Sequence, residues 1–508
     1  MLERVPRRLQ YELSQNRTLL TGAAVLVAVA LGLAAAYITV NVSLYAGFGA
    51  VAAGLLGLAI MTNTQTGFVT VIAVAYLLPF AVIPAAVGGV KLTFLDATLT
   101  LLLIVWILRL LTHREERLVS TPLDLLILLF IGIAVTSFIM GVYSVSGDTI
   151  RAFLKTINSI VFFFVLVNNV RNLTQTLELV RALTIAAAVA SFFAIALYLL
   201  QPEAQQRLLE SLSGLGYPTG GEVVRYIADT DTLRAVGTSI DPNVLGGMLM
   251  LALPLVLVQL FGSAPLLPRR VLALIAVAVL SCLILTFSRS SWIGALAGVV
   301  FLGTFKYRRI WLALLVAVTV LLMLPQGEIV RERTQQGIAQ EDLATKMRLG
   351  EYKDAVRLIK QYPWFGVGFG EAPSIDLYVA ASSIYLMMAE EMGLIGLSAF
   401  IITMLGLFFY ALTSRPRIRD PLLSDLQLGC LASVAGALTA GIFDHYFFNL
   451  HFPHTVALFW LFAGLAVVCT RLGLELSGER AATAREGVDL VSAGLRRGRL
   501  GAAPPGAP

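Results

Sequence analysis

Charge is what this sequence has least of. Asp, Glu, Lys and Arg make up 13% of its 508 residues, against about a quarter in an ordinary soluble domain. Apolar residues reach 58% and the mean hydropathy is +0.83. A water-soluble globule of that composition would expose more apolar surface than water tolerates, so lipid is the matching solvent. Cysteine is nearly as scarce. Cys282, Cys430 and Cys469 each lie inside an apolar run without metal-ligand spacing and read as small core residues. The alternating segments of a membrane barrel are absent, because the apolar stretches are long and continuous. A single basic patch is absent too. The net charge of +6 is spread in short clusters between apolar runs, which is a topology signal and excludes nucleic acid as partner. The sequence also lacks a recognisable cleavage signal. Its basic start (Arg4, Arg7, Arg8, Arg17) leads into an apolar segment too long for a signal core, expected to be a first anchor. Nor do the two halves resemble one another, as inverted-repeat transporters require.

What is present is a series of apolar runs. With roughly 20 residues per crossing, spans are expected near 19–41, 43–62, 66–86, 92–111, 122–144, 152–169 and 176–200. A polar stretch, 201–242, follows. Further spans are expected near 243–262, 270–287, 290–305 and 309–325, then a second polar stretch, 326–378. The last lie near 380–411, 424–443 and 453–470. The fold class is therefore all-α, a polytopic membrane protein of about 12–14 transmembrane helices with a large extracytoplasmic loop. A transmembrane domain covers 1–472, and a cytoplasmic tail at 473–508, ending in Gly501-Ala-Ala-Pro-Pro-Gly-Ala-Pro508, is expected to be disordered. Orientation follows from the short loops. With the N-terminus inside, the connections carrying Arg109, Arg171, Arg269, Lys306 and Arg415 all fall inside, as does the basic tail. The long polar stretches then face outward.

Three outward segments hold polar groups that ordinary loops do not need. The first, Arg234-Ala-Val-Gly-Thr-Ser-Ile-Asp241-Pro242-Asn243, leads into the eighth span. Asp241 and Pro242 suit a helix start, whereas Arg234 lies near the membrane on the side where positive charge is depleted. The second, Ser288-Arg289-Ser290-Ser291-Trp292, joins two spans by a tight turn, so Arg289 sits at the outer interface. It either snorkels to lipid phosphate or serves function, and a forked guanidinium beside hydroxyls is suited to bidentate diphosphate binding. The third, 326–378, is rich in charge. Within it, Arg348 to Lys360 has the spacing of an amphipathic helix on the membrane surface. A fourth segment, Asp444-His445 to His454, holds three of the four histidines. No cysteine or carboxylate cluster completes a tetrahedral set, so no metal is assigned. Asp444 beside His445 reads either as an oriented base or as part of an aromatic interfacial belt.

In their order, these segments resemble the O-antigen ligase / Wzy-type polysaccharide polymerase superfamily of bacterial membrane glycosyltransferases. Arg234…Gly237…Asp241-Pro242-Asn243 looks like its Arg–Gly–Asp-Pro-Asn stretch, and Ser288-Arg289-Ser290-Ser291-Trp292-Ile-Gly294 like its Ser-Arg-Ser-x-Trp-x-Gly motif. Arg348 with Pro363-Trp364-Phe365-Gly366 resembles the opening of its large loop. Tyr385-Leu386 with Glu391-Met-Gly393-Leu-Ile-Gly396 resembles the helix that closes the loop. The resemblance implies an undecaprenyl-diphosphate-linked glycan as donor and a glycan or lipid hydroxyl as acceptor. It implies location in the bacterial inner membrane with both termini cytoplasmic, and no metal or nucleotide cofactor. Arg234, Arg289 and Arg348 would hold the diphosphate, and Asp241, Asn243, Ser288, Ser290 and Tyr385 would support them. The family's usual histidine before the tyrosine is missing, because residues 381–384 read Ala-Ser-Ser-Ile. His445 with Asp444 is the expected catalytic pair in its place, with Glu371 and Asp376 as alternatives. Two other functions fit the same residues: a transporter or flippase without covalent chemistry, and a non-catalytic component of a polysaccharide export complex.

Overall fold

A computed structural model describes residues 44–83, 92–112, 118–220, 223–227, 230–323, 331, 335, 343–370 and 381–500. Helix follows helix through these residues. They are α1 (Leu44–Thr62), α2 (Thr64–Leu77), α3 (Phe94–Thr112), α4 (Asp124–Met140), α5 (Gly147–Asn169), α6 (Leu173–Tyr198) and α7 (Pro202–Glu210). After them come α8 (Pro242–Phe261), α9 (Arg269–Leu285), α10 (Arg289–Phe305), α11 (Arg309–Met323) and α12 (Leu343–Gln361). The last are α13 (Ile384–Ser414), α14 (Pro421–Ala440) and α15 (Pro453–Leu500). Among the described residues the only extended pairings are isolated bridges, Val82 with Thr93 and Tyr226 with Leu233. The chain is an all-α integral membrane protein. Among the described residues seven helices are long and apolar enough to cross a bilayer, and shorter apolar helices accompany them.

A helix stands at each expected span from residue 43 onward. The expected first span, 19–41, lies outside the described residues, as do parts of the stretch 326–378, including Glu371 and Asp376. Helix ends differ where local chemistry overrides hydropathy. The α2 helix stops at Leu77 instead of running to 86, because Leu78 precedes Pro79 and leaves the helical region at φ −143°. Helix α5 starts at Gly147, before the expected 152, because Ser146 caps it by accepting from the Thr149 N–H at 3.2 Å. Its extra turn carries Asp148 and Arg151, which no hydropathy threshold admits. At the other end of the chain the backbone stays helical to Leu500, so the boundary placed at 472–473 is not a break in the backbone.

Helices α8, α14 and α15 form the centre. Over its apolar stretch α15 is 94% buried, against 33% for α3 at the periphery. Helix α14 packs on α8, α10 and α15, and α5 closes the far side of α15. Two approaches are at backbone distance. A Cβ on Gly436 would lie 2.6 Å from the Gly294 carbonyl oxygen, and one on Gly294 would lie 2.7 Å from the Gly436 carbonyl oxygen. Small residues let helices in lipid meet this closely.

Helix α13 is broken. Gly393 sits at φ +68°, ψ −177° inside it, a conformation essentially restricted to glycine. The loop after α12 fills the break. Val367 and Gly368 donate to the Glu390 and Glu391 carbonyls at 2.8 and 3.0 Å, and Leu394 donates to the Pro363 carbonyl at 2.7 Å. The Ser137 hydroxyl on α4 reaches the carbonyls of Phe365 and Glu391. Non-helical backbone survives at this depth because protein groups satisfy it.

The connections gather at two ends. At one, Val82 pairs with Leu215, Ala235 with Leu285, Val142 with Val367 and Ile384 with Gly441 through main-chain bonds. At the other, Lys306 pairs with Asp425, Arg269 bonds the Gly262 carbonyl and Arg471 bonds the Val170 carbonyl.

Candidate functional site

The site forms at the first of these ends, where α8 and α10 begin. Asp241-Pro242-Asn243 starts α8 as the sequence suggests. The Asp241 carboxylate accepts from the N–H groups of Asn243 and Val244 at 2.7 and 3.0 Å, and Pro242 occupies the first turn, where no N–H is needed. Asp241 is thus a cap. Capping leaves the Asn243 side chain on the helix's first turn, where its oxygen accepts from the Arg234 guanidinium at 2.7 Å. Arg234 is fixed further by donating from Nε to the Thr286 carbonyl at 2.8 Å. Its main chain is clamped to Arg225 at 2.8 Å, and the neighbouring Ala235 to Leu285 at 2.9 Å. The arginine is held by the end of α9 and the start of α8 together.

Helix α10 opens straight after a tight corner at Thr286-Phe287, where Phe287 takes a positive φ of 49°. Ser288 occupies the N-cap position but makes no cap bond. Its hydroxyl is shared with Ser290 at 3.2 Å and Ser291 at 2.9 Å. Ser290 donates to Asp444 at 3.0 Å, and Ser291 shares a bond with the Tyr446 hydroxyl at 3.2 Å. Arg289 points the other way and meets the Thr345 hydroxyl on α12 at 3.2 Å. Three residues further along α12, Arg348 forms an ion pair with Asp444 at 3.4 Å. Positions three apart share a helix face, so α12 roofs the site with Thr345 and Arg348. Next on that face, the Tyr352 hydroxyl donates to the carbonyls of Ser382 and Ile442, at 3.1 and 3.3 Å, and Glu351 accepts from the Ser382 N–H at 3.0 Å. The apolar residues of α12 divide between protein and exterior: Met347 and Val356 are exposed. Ala355 and Leu358 are buried, and the helix packs on α13.

Charge and burial divide the site into fixed and available groups. Asp444 is buried, and donors surround its carboxylate: Ser290 and Arg348 on one oxygen, its neighbour's main-chain N–H on the other at 3.0 Å. Burial, then the nearby Asp444 charge, pushes the Tyr446 phenol up, and burial does the same for Tyr352 despite the opposing influence of Arg348. Both phenols are neutral donors at ordinary pH.

The expected Asp444–His445 orientation takes a different form. Asp444 binds the main chain of His445, and the ring's Nδ1 pairs with the Asn449 amide at 2.9 Å. The Asn449 oxygen accepts from the His451 N–H at 2.7 Å, which turns its NH2 group toward the imidazole. Nδ1 is then an acceptor, and the neutral ring carries its proton on Nε2. The other histidines do not converge on His445: His454 is fully buried, its ring set edge-on to Phe80 at 5.3 Å.

The structure thus links Arg234, Asn243, Ser288, Ser290, Asp444 and Arg348, with Arg289 joined to the roof helix through Thr345. Tyr385 stands apart, its hydroxyl tying α13 to the Leu438 carbonyl of α14 at 2.7 Å. Ser291, Tyr446, Tyr352, Asn449 and Glu351 were missed as site residues. The available signals were the third serine of the Ser-Arg-Ser-Ser run and the helical spacing from Arg348 to Glu351.

A family model described as O-Antigen ligase matches residues 274–401, from within α9 to within α13. The match includes Arg289, Arg348 and Glu351 and covers about a quarter of the chain, which over that stretch is similar to the O-antigen ligase family. No curated protein matches the chain.

Proposed function

From that similarity, we propose that the protein transfers glycan from an undecaprenyl-diphosphate-linked donor to a hydroxyl acceptor on the extracytoplasmic face of the bacterial inner membrane. The observation that carries this reading is the convergence of Arg234, Arg289 and Arg348 on the starts of α8 and α10, each arginine held by a named neighbour. Arginine binds phosphate oxygens in a fixed fork, and a helix N-terminus adds favourable potential for an anion. Preorganised cations of this kind stabilise the charge that grows on a departing diphosphate.

Orientation rests on loop charge. The opposite end carries Arg171, Arg269, Lys306, Arg417 and Arg419, which the positive-inside rule assigns to the cytoplasm, with both termini on that side. The energy for transfer resides in the phospho-sugar bond, so the reading requires neither nucleotide nor metal. In this scheme Asp444 holds Arg348 against the start of α10. A transporter would place its ionisable groups near mid-bilayer on facing helices. Here the arginines collect at one end.

The test is surface-glycan display in a host whose own copy has been deleted. Arg234→Ala and Arg289→Ala each abolish display while the protein still inserts. Arg289→Lys fails as well, because an ammonium offers a point charge in place of a fork. Normal glycan in all three variants refutes the assignment.

A further inference from the structure

We propose that Glu351 is the proton acceptor for the attacking hydroxyl, an inference that rests on the transfer reaction just described. Transfer to a hydroxyl breaks an O–H bond as the new C–O bond forms, and a group in the site takes that proton. Three candidates lie in the described site, and their surroundings separate them. The Asp444 carboxylate accepts from Ser290, from the His445 N–H and from the Arg348 guanidinium. Three donors, one of them cationic, already engage both of its oxygens. His445 faces the wrong way for the task. The fixed Asn449 amide occupies Nδ1, so the neutral ring offers Nε2 with its proton already attached.

Glu351 differs from both. It is half-buried on the face of α12 that carries Thr345 and Arg348, between the Arg348–Asp444 pair and Ser382. One carboxylate oxygen accepts from the Ser382 N–H at 3.0 Å, which fixes the side chain's direction. An ionised carboxylate has about four acceptor directions on two oxygens, so anchoring one oxygen leaves it competent to receive a hydrogen bond from a substrate. The adjacent Tyr352 is a neutral donor bonded to Ser382 and Ile442, which pins this part of α12.

The step balances without a further reagent. The acceptor O–H bond breaks and its proton passes to the Glu351 carboxylate. The acceptor oxygen bonds to the anomeric carbon of the donor sugar. The bond from that carbon to the phosphate oxygen breaks, and its electron pair leaves with the diphosphate held by the arginines. Water then removes the proton from Glu351.

The experiment uses the full chain in host membranes containing the host's own lipid-linked glycan. It measures transfer and, separately, the lipid-linked glycan that co-purifies with the protein. Glu351→Gln is expected to lower transfer by about 10²–10⁴-fold, the usual contribution of a general base, with co-purifying donor unchanged. Glu351→Asp recovers part of the rate. Transfer by Glu351→Gln within about threefold of wild type overturns the assignment, as does a loss of co-purifying donor equal to the loss of transfer, which marks a structural role. If wild type itself transfers nothing, the transferase reading falls and this assignment falls with it.

Discussion

Replacing Gly393 by alanine isolates one structural claim from all questions of function. The glycine stands at φ +68°, ψ −177° in the middle of α13. A side chain there costs about 1–3 kcal/mol from backbone conformation alone. Space makes matters worse. An added Cβ would overlap the Trp364 carbonyl and lie 2.6 Å from the Phe365 nitrogen, both main-chain atoms that cannot rotate away. Overpacking of this kind adds about 1–3 kcal/mol, so the variant should lose roughly 2–6 kcal/mol. The loss is local at first, because Trp364 and Phe365 belong to the same loop as Val367 and Gly368, which donate to Glu390 and Glu391. Gly132→Ala on α4 is the control. Nothing lies within 4 Å of its added Cβ, and the helix there is regular. That change should be neutral or stabilise by up to about 1 kcal/mol. Thermal unfolding of both variants in detergent, with limited proteolysis across 362–370, gives the comparison. If Gly393→Ala melts and resists protease like Gly132→Ala, the broken helix and its inserted loop are wrong.

Two further predictions concern particular contacts. Lys306→Ala leaves the buried Asp425 without its cation and should destabilise by about 1–3 kcal/mol, less than for a wholly buried pair because the lysine side chain is 37% exposed. Adding Asp425→Leu should restore most of the loss in a thermal melt, and no recovery would argue against an unpaired charge as the cause. Tyr352→Phe removes the hydroxyl that donates to the carbonyls of Ser382 and Ile442, costing about 1–3 kcal/mol. Because the folded phenol has its pKa raised above 10 by burial, the linked stability is present below pH 10 and is lost as pH rises through the folded value. Alkaline titration of tyrosine absorbance, comparing wild type with Tyr352→Phe, should show one late-ionising group missing from the variant.

The spans were legible because hydropathy integrates over twenty residues and tolerates local error. Arg234 and Arg289 stood out for a related reason: a cation at the outer end of an apolar run is an anomaly that the membrane itself defines. Glu351 offered no such contrast. It lies among Lys346, Arg348, Lys353 and Asp354, where charge is ordinary, and only the tertiary contact with Ser382 distinguishes it. Ser291 and Tyr446 meet across 155 residues of chain, a distance over which no periodicity carries information. The break in α13 was hidden similarly. Gly393 and Gly396 read as the small residues common in membrane helices, and nothing local announces that the loop at 362–370 will pair with the opened turn. The histidine was found but not its proton, since the tautomer is set by Asn449 and the His451 main chain.

The reciprocal approach of Gly294 and Gly436 bears on how the site can move. Two helices in contact at their main-chain carbonyls have no side-chain layer to deform, so a slide of one residue would drive a Cβ into an oxygen. Helices α10 and α14 are therefore geared together as one body, and Ser288–Ser291 ride on the same frame as Asp444 and Tyr446. The hydroxyl cluster keeps its spacing whatever the rest of the protein does. Helix α12 reaches that frame from above by polar tips alone, at Arg289–Thr345, Arg348–Asp444 and Tyr352–Ile442. Such contacts can be traded for a ligand's own oxygens, while buried Ala355 and Leu358 keep the roof seated on α13, so the site is a stationary anvil under a roof hinged on one neighbour.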